Sequence, residues 1–218
     1  GVEKLTKAQA LALLRQCEER GLCHTAWTFL TPFVAAISNA GALGIVASAI
    51  FKDPSMLREE IRRVKDLTDK PFAVNVNLFP MMAPPDNGKF VEVVAAEGVR
   101  VVETSGFSAP ADLVGLFKQF GLTWIHKCVG VRYARKVAEM GADAVTVVGY
   151  ENGGATGKLN VTTLVLVPSV VNAVTIPVIG GGGVADGRAL YAVLSLGAEA
   201  AIVGSRFLLS DECPIHPN

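Results

Sequence analysis

Short β-branched runs alternating with amphipathic helical patterns of about a dozen residues restrict this fold most, because such alternation builds a parallel sheet covered by helices. The runs lie at 22–28, 43–47, 72–78, 99–104, 123–127, 144–148, 177–180 and 200–204. Most are continuously apolar rather than alternating, as strands buried on both faces require. The helices carry their own punctuation. Asp53 precedes Pro54, an N-cap followed by a proline at the first helical position. Leu57, Ile61 and Val64 then fall on one stripe, and Leu113, Phe117 and Phe120 repeat the pattern before Gly121. Gly141 and Gly197 close two further helices, in positions that suit left-handed C-terminal caps.

Eight strands in strand–helix order predict a (β/α)8 TIM barrel, with a doubly wound open sheet as the alternative. No linker or repeat interrupts residues 1–218, so a single domain is expected. The sequence reaches Asn218 soon after the eighth strand, which predicts a missing or truncated final helix. A helix over 6–20, with Leu11, Leu14 and Cys17 on one stripe, is expected to fill that slot or plug the barrel bottom. A fragment of a longer protein fits the same observation.

Composition excludes several classes of function. The chain is 50% hydrophobic and only 18% charged, which is incompatible with intrinsic disorder. Twenty basic residues balance 20 acidic ones with no basic run, against a nucleic-acid binder. No apolar stretch reaches the roughly 20 residues of a bilayer span, and the first residues lack the order of a signal peptide. Cys17, Cys23, Cys128 and Cys213 form no CxxC pair, and His24, His126 and His216 have no ligand spacing. A cytoplasmic protein without a metal site is expected, and a homodimer is compatible with these features.

Two glycine-rich segments point to a phosphate. Ile176-Pro-Val-Ile-Gly-Gly-Gly-Gly-Val-Ala-Asp-Gly187 runs from a strand through four glycines, and Ala201-Ile-Val-Gly-Ser-Arg-Phe207 repeats the theme at the end of the eighth strand. Glycines allow close backbone approach, a following helix offers free N–H groups, and barrels often bind phosphate after strands seven and eight. Gly181, Gly182, Gly183, Val203, Gly204 and Ser205 are therefore candidate binding residues. Gly153 and Gly154 belong to a long loop after the sixth strand that suits the same face. Asn75 and Asn77 share one side of the third strand, where an amide can line the mouth or simply end the strand.

Lys127 ends the fifth strand, where catalytic residues gather, and can hold a phosphate or stabilise negative charge. His126 is the candidate catalytic histidine. It must point to the opposite side from Lys127, so only one of the two faces the barrel axis. A buried structural imidazole is the simpler reading for it.

Several segments together resemble the nitronate monooxygenase family, formerly the 2-nitropropane dioxygenases, and its relative, the flavin-dependent enoyl-ACP reductase. They are Ala35-Ala-Ile-Ser-Asn-Ala-Gly-Ala-Leu-Gly-Ile45, Pro71-Phe-Ala-Val-Asn75, His126-Lys-Cys128, Glu151-Asn-Gly-Gly154, residues 176–187 and Gly204-Ser-Arg-Phe207. The resemblance implies a TIM barrel holding FMN non-covalently, its phosphate near Gly182, Gly183, Gly204 and Ser205. It further implies that Asn75 reaches the flavin, with Gly153, Gly154 and Lys127 beside it. The implied activity is oxidation of an alkyl nitronate with O2 to a carbonyl compound and nitrite. An NAD(P)H-linked enoyl reductase and a catalytically silent flavin-binding barrel are the alternatives. The family's E-x-G-G-H motif ends here in Ala155, and a methyl group takes no proton. Where the family has a Gly-Gly-Met-like turn, this chain has Cys23-His-Thr25, which would crowd a flavin ring.

Overall fold

The computed structural model describes residues 24–28, 31–79, 86–106, 108–154 and 157–213, with 24–28 described for the backbone alone. Eight parallel strands close into a barrel in sequence order: β1 His24–Thr28, β2 Leu43–Ala47, β3 Phe72–Asn77, β4 Val101–Ser105, β5 Thr123–Cys128, β6 Ala144–Val148, β7 Val178–Gly181 and β8 Ala200–Ile202. Pairing of His24 with Ala201 and Thr25 with Ile202 completes the ring. The open-sheet alternative is thereby overturned. Strands β2 and β6 have the expected bounds, and the others shift by one or two residues at an end.

The helices are α1 Thr31–Asn39, α2 Pro54–Leu67, α3 Asn87–Ala96, α4 Val114–Gln119, α5 Val131–Met140, α6 Thr163–Val171, α7 Gly187–Ser195 and α8 Ser205–Leu208. The last is a single turn of four residues. The helix expected over 6–20 lies outside the described residues. Among them, no helix is long and apolar enough to cross a membrane.

Local chemistry explains the helix boundaries. Asp53 Oδ1 accepts the N–H groups of Ser55 and Met56 at 2.9 and 3.3 Å, with Pro54 in the first position where a missing N–H is harmless. Asp186 caps α7 in the same way, accepting from Arg188 and Ala189 at 3.0 Å each. Gly141 ends α5 with φ of +96°, the left-handed cap expected of it.

Strand alternation divides the core in two. Val74, Val102, Trp124, Val145 and Ala201 point outward and pack with the helices, around Phe33, Ile61, Phe90, Phe117 and Val167. Leu43, Ile45, Ala73, Ile125, Val148, Ile179, Ala200 and Ile202 form the barrel interior. Glycine permits the closest contacts between the layers. A Cβ on Gly44 would lie 2.4 Å from the Val34 carbonyl oxygen on α1. Gly44→Ala is therefore expected to destabilise the protein by about 1–3 kcal/mol, the usual effect of overpacking. Urea denaturation would show a lower midpoint at unchanged slope.

Candidate active site

Inner positions of the central strands change from apolar to polar toward their C-terminal ends. Asn75 on β3, Glu103 and Ser105 on β4, and Thr146 on β6 are all buried. Asn75 Nδ2 donates to Glu103 Oε2 at 3.0 Å and to Ser105 Oγ at 3.2 Å. Thr146 Oγ1 donates to Glu103 Oε1 at 3.4 Å. Lys127 on β5 is half-buried and in register between Ser105 and Thr146. Burial pushes its ammonium pKa below the usual lysine range, and the neighbouring Glu103 charge opposes that shift.

Asn75, expected to reach a cofactor, has 0% exposure in this arrangement and commits both amide N–H groups inside the barrel. Glu103 was not legible as a site residue. Its one signal was a carboxylate embedded in the strand sequence Val101-Val-Glu-Thr-Ser105.

His126 faces the other way. Its Nδ1 lies 2.8 Å from Thr104 Oγ1, which also accepts the Trp124 indole N–H at 2.8 Å. The Trp124 ring packs against both His126 and Phe117 of the helix layer. The imidazole is 2% exposed, and burial lowers its pKa to about 4. This geometry corrects the expectation of a catalytic His126: a neutral imidazole in the outer core has no path to the barrel mouth. Its neighbour Cys128 is equally inert, its thiol pushed up to about 12 by burial.

The three glycine-bearing loops meet at the same end of the barrel. Gly149 N–H donates to the Gly181 carbonyl at 3.0 Å, joining the β6 and β7 exits. Thr163 Oγ1 lies 3.0 Å from the carbonyl oxygens of Gly181 and Gly182 and from Glu151 Oε2. The Glu151 carboxylate also accepts the Thr163 N–H, so it caps α6 and holds the loop down. A Cβ on Gly153 would stand 3.7 Å from Ser205 Oγ, which brings the third loop into the group.

Gly182 and Gly183 have φ of +103° and +74°, a conformation that lets successive backbone N–H groups line a concavity. Gly153, Gly154, Gly183, Gly204 and Ser205 are exposed. Gly181 and Val203 are buried, and the Val203 side chain belongs to the outer core, leaving only main-chain groups for a ligand. These residues fit a phosphate ester: exposed main chain and a hydroxyl, with the nearby carboxylate already engaged. Ala155 and the His24 side chain lie outside the described residues.

Beside the mouth, between the N-terminal ends of α5 and α6, lies a cavity of about 650 Å³. Residues 128–133 and 157–159, with Gly106, Val161, Leu166 and Ser169, line it. Arg132, whose guanidinium stands 5.9 Å from the Tyr133 ring centroid, and Lys158 bring cations to this mainly apolar space. Among the described residues, no group of three or more His, Cys, Asp or Glu side chains could hold a metal ion.

The nitronate monooxygenase family model matches residues 24–218. The chain belongs to the nitronate monooxygenase family. A Rhodococcus jostii protein named (3aS,4S,5R,7aS)-5-hydroxy-7a-methyl-1-oxo-octahydro-1H-indene-4-carboxyl-CoA dehydrogenase is 40% identical over 189 residues, covering 87% of this chain and 51% of that protein. A probable nitronate monooxygenase of Bacillus subtilis is 30% identical over 220 residues, covering 84% and 63% respectively. Among solved structures, FabK from Thermotoga maritima superposes with a TM-score of 0.81 at 38% identity, over 93% of this chain and 65% of that one. The chain spans about half the length of the CoA dehydrogenases it matches.

The buried imidazole gives the fold a pH signature. In the unfolded chain it protonates near 6.5, and in the folded protein near 4. Between these values the unfolded state binds more protons, so folding stability falls as pH drops from 6.5 toward 4, by on the order of 3 kcal/mol at full extent. Urea midpoints measured across this window are expected to decline with acidification. His126→Gln should flatten the decline, and an undiminished slope would assign it to other groups.

Proposed function

We propose that this chain is the flavin-binding barrel of an oxidoreductase that holds FMN non-covalently. The observation that carries the reading is the convergence of the Gly153–Gly154, Gly181–Gly183 and Gly204–Ser205 loops at one barrel mouth. Their main-chain N–H groups and the Ser205 hydroxyl would hold the phosphate. Lys127, reaching toward the mouth from β5, would stabilise negative charge there, with Asn75 bracing the floor from below. Bound FMN supplies the electron-transfer chemistry, and the protein supplies position and electrostatics.

The reaction proposed is oxidation of an alkyl nitronate with O2, giving a carbonyl compound and nitrite. Ala155 replaces the residue that would remove a substrate proton, so the substrate would enter already as the anion. A second reading, redox chemistry on an acyl thioester, draws support from the similarity to a CoA dehydrogenase and to FabK. The apolar cavity with its two cations is also of a kind that suits an amphiphilic anion.

Titration of the apoprotein with FMN and riboflavin tests the cofactor proposal. A phosphate gripped by several charge-assisted hydrogen bonds should make FMN bind about 100-fold more tightly. Ser205→Glu, an exposed substitution, should lower FMN affinity about tenfold by charge repulsion while leaving the melting temperature unchanged. Equal affinity for the two flavins would sink the phosphate site.

The substrate readings separate in an anaerobic cuvette. Under the first, an alkyl nitronate bleaches the flavin absorbance without NAD(P)H, and air restores it with release of nitrite. Bleaching by NADPH or an acyl-CoA, and not by nitronate, would choose the second. Binding of FMN with no bleaching by any of these would mark a silent barrel.

A further inference from the structure

Glu103 sits at 0% exposure on the inner face of β4, with Ile125 as its register partner on β5. A carboxylate in such surroundings is costly unless both oxygens are satisfied. Here they are. Oε2 accepts from Asn75 on β3, and Oε1 from Thr146 on β6, so the one side chain ties strands on both sides of β4 and β5.

The bond to Asn75 has a consequence for orientation. An ionised carboxylate only accepts, so it selects the amide flip that turns Nδ2 toward β4. The second N–H of that amide goes to Ser105 Oγ at 3.2 Å. Both donors of Asn75 are thus committed, and its Oδ1 lies 3.5 Å from the same Ser105 hydroxyl, so the amide is held on both sides.

The same carboxylate stands beside Lys127. Register places Lys127 between Ser105 and Thr146, and Thr146 is itself a donor to Glu103. The other inner-facing described residues of β3, β4 and β6 are Ala73, Asn75, Asn77, Val101, Ser105, Ala144, Thr146 and Val148, none of them ionisable. Glu151, beyond β6, is engaged by Thr163, and His126 points to the outer layer.

We infer that Glu103 is a positioning residue, which fixes the Asn75 amide and supplies the counter-charge that keeps Lys127 an ammonium. Its bearing on a flavin rests on the function proposed above, but the arrangement of the three side chains does not.

The test therefore uses the cofactor-free protein. Trace acetylation of Lys127, followed by mass spectrometry across pH, reports the titration of its amine directly. Burial already lowers that titration and Glu103 counters it. Glu103→Gln should move the labelling midpoint down by one pH unit or more, and an unmoved midpoint in a folded variant overturns the inference.

The exchange variant Asn75→Asp/Glu103→Gln keeps one acid facing one amide and moves the charge from β4 to β3. It should melt above Asn75→Asp alone, which sets two carboxylates about one hydrogen bond apart, and should return the Lys127 midpoint at least halfway to wild type. If Glu103→Gln does not fold, the exchange variant decides. A folded protein with a midpoint near wild type supports the inference, and failure to fold or a midpoint shifted down by a unit overturns it. Loss of FMN binding with these outcomes intact would count against the flavin proposal alone.

Discussion

Closing eight parallel strands into a ring forces each strand to be buried on both sides, and every other property of this molecule follows from that constraint. A side chain on a strand has two destinations, the interior or the helix layer, and one step along the chain exchanges them. On β5 the exchange separates two chemistries. Trp124 and His126 enter the outer core and satisfy each other through Thr104, while Ile125 and Lys127 enter the barrel. The interior accepts polar groups only where they satisfy one another. The cluster of Asn75, Glu103, Ser105 and Thr146 meets that demand, and it lies at the strand ends that open toward the mouth.

The mouth itself is built differently, from main chain. Thr163 draws together the β6 and β7 exits through two carbonyl oxygens and the Glu151 carboxylate. A side chain at Gly182 would collide with this knot: its Cβ would stand 2.6 Å from Thr163 Oγ1 and 3.0 Å from the Gly149 nitrogen. Glycine there is a consequence of the close approach of two loops, quite apart from any ligand. A surface of packed backbone gives an anion rigid donors without long side chains to order, which favours tight binding at small entropic cost.

Much of this was legible in the sequence because the signals are local. Strand runs, the Asp53 cap and the Gly141 stop depend on neighbouring residues, and the structure places each within a few positions of its expected site. The alternation rule also foresaw that His126 and Lys127 diverge, though not which would face inward. That choice was decided by Trp124, whose ring packs in the helix layer and whose indole N–H needs the Thr104 hydroxyl on the neighbouring strand β4, 20 residues away. Glu103 was missed for a related reason: its partners come from β3 and β6, 28 and 43 residues distant. Nor does local sequence report depth, which is why Asn75 could be assigned to the barrel side but not to its sealed floor.

The ionisable side chains near the mouth offer little that could act as a base. Glu103 and Glu151 are both bound as acceptors by neighbouring donors, His126 is turned away, and Cys128 is held as a thiol. Lys127 is a cation on the inner face of β5, and as an ammonium it stabilises an anion rather than abstracting a proton. A mouth of this character favours reactants that arrive with their negative charge already formed. Nitronates satisfy that condition in their reactive form, whereas a neutral thioester would need a base contributed from elsewhere or a hydride from a second cofactor. On electrostatic grounds, then, the proposed nitronate chemistry asks less of these side chains, even though the similarities to a CoA dehydrogenase and to FabK run to higher identity.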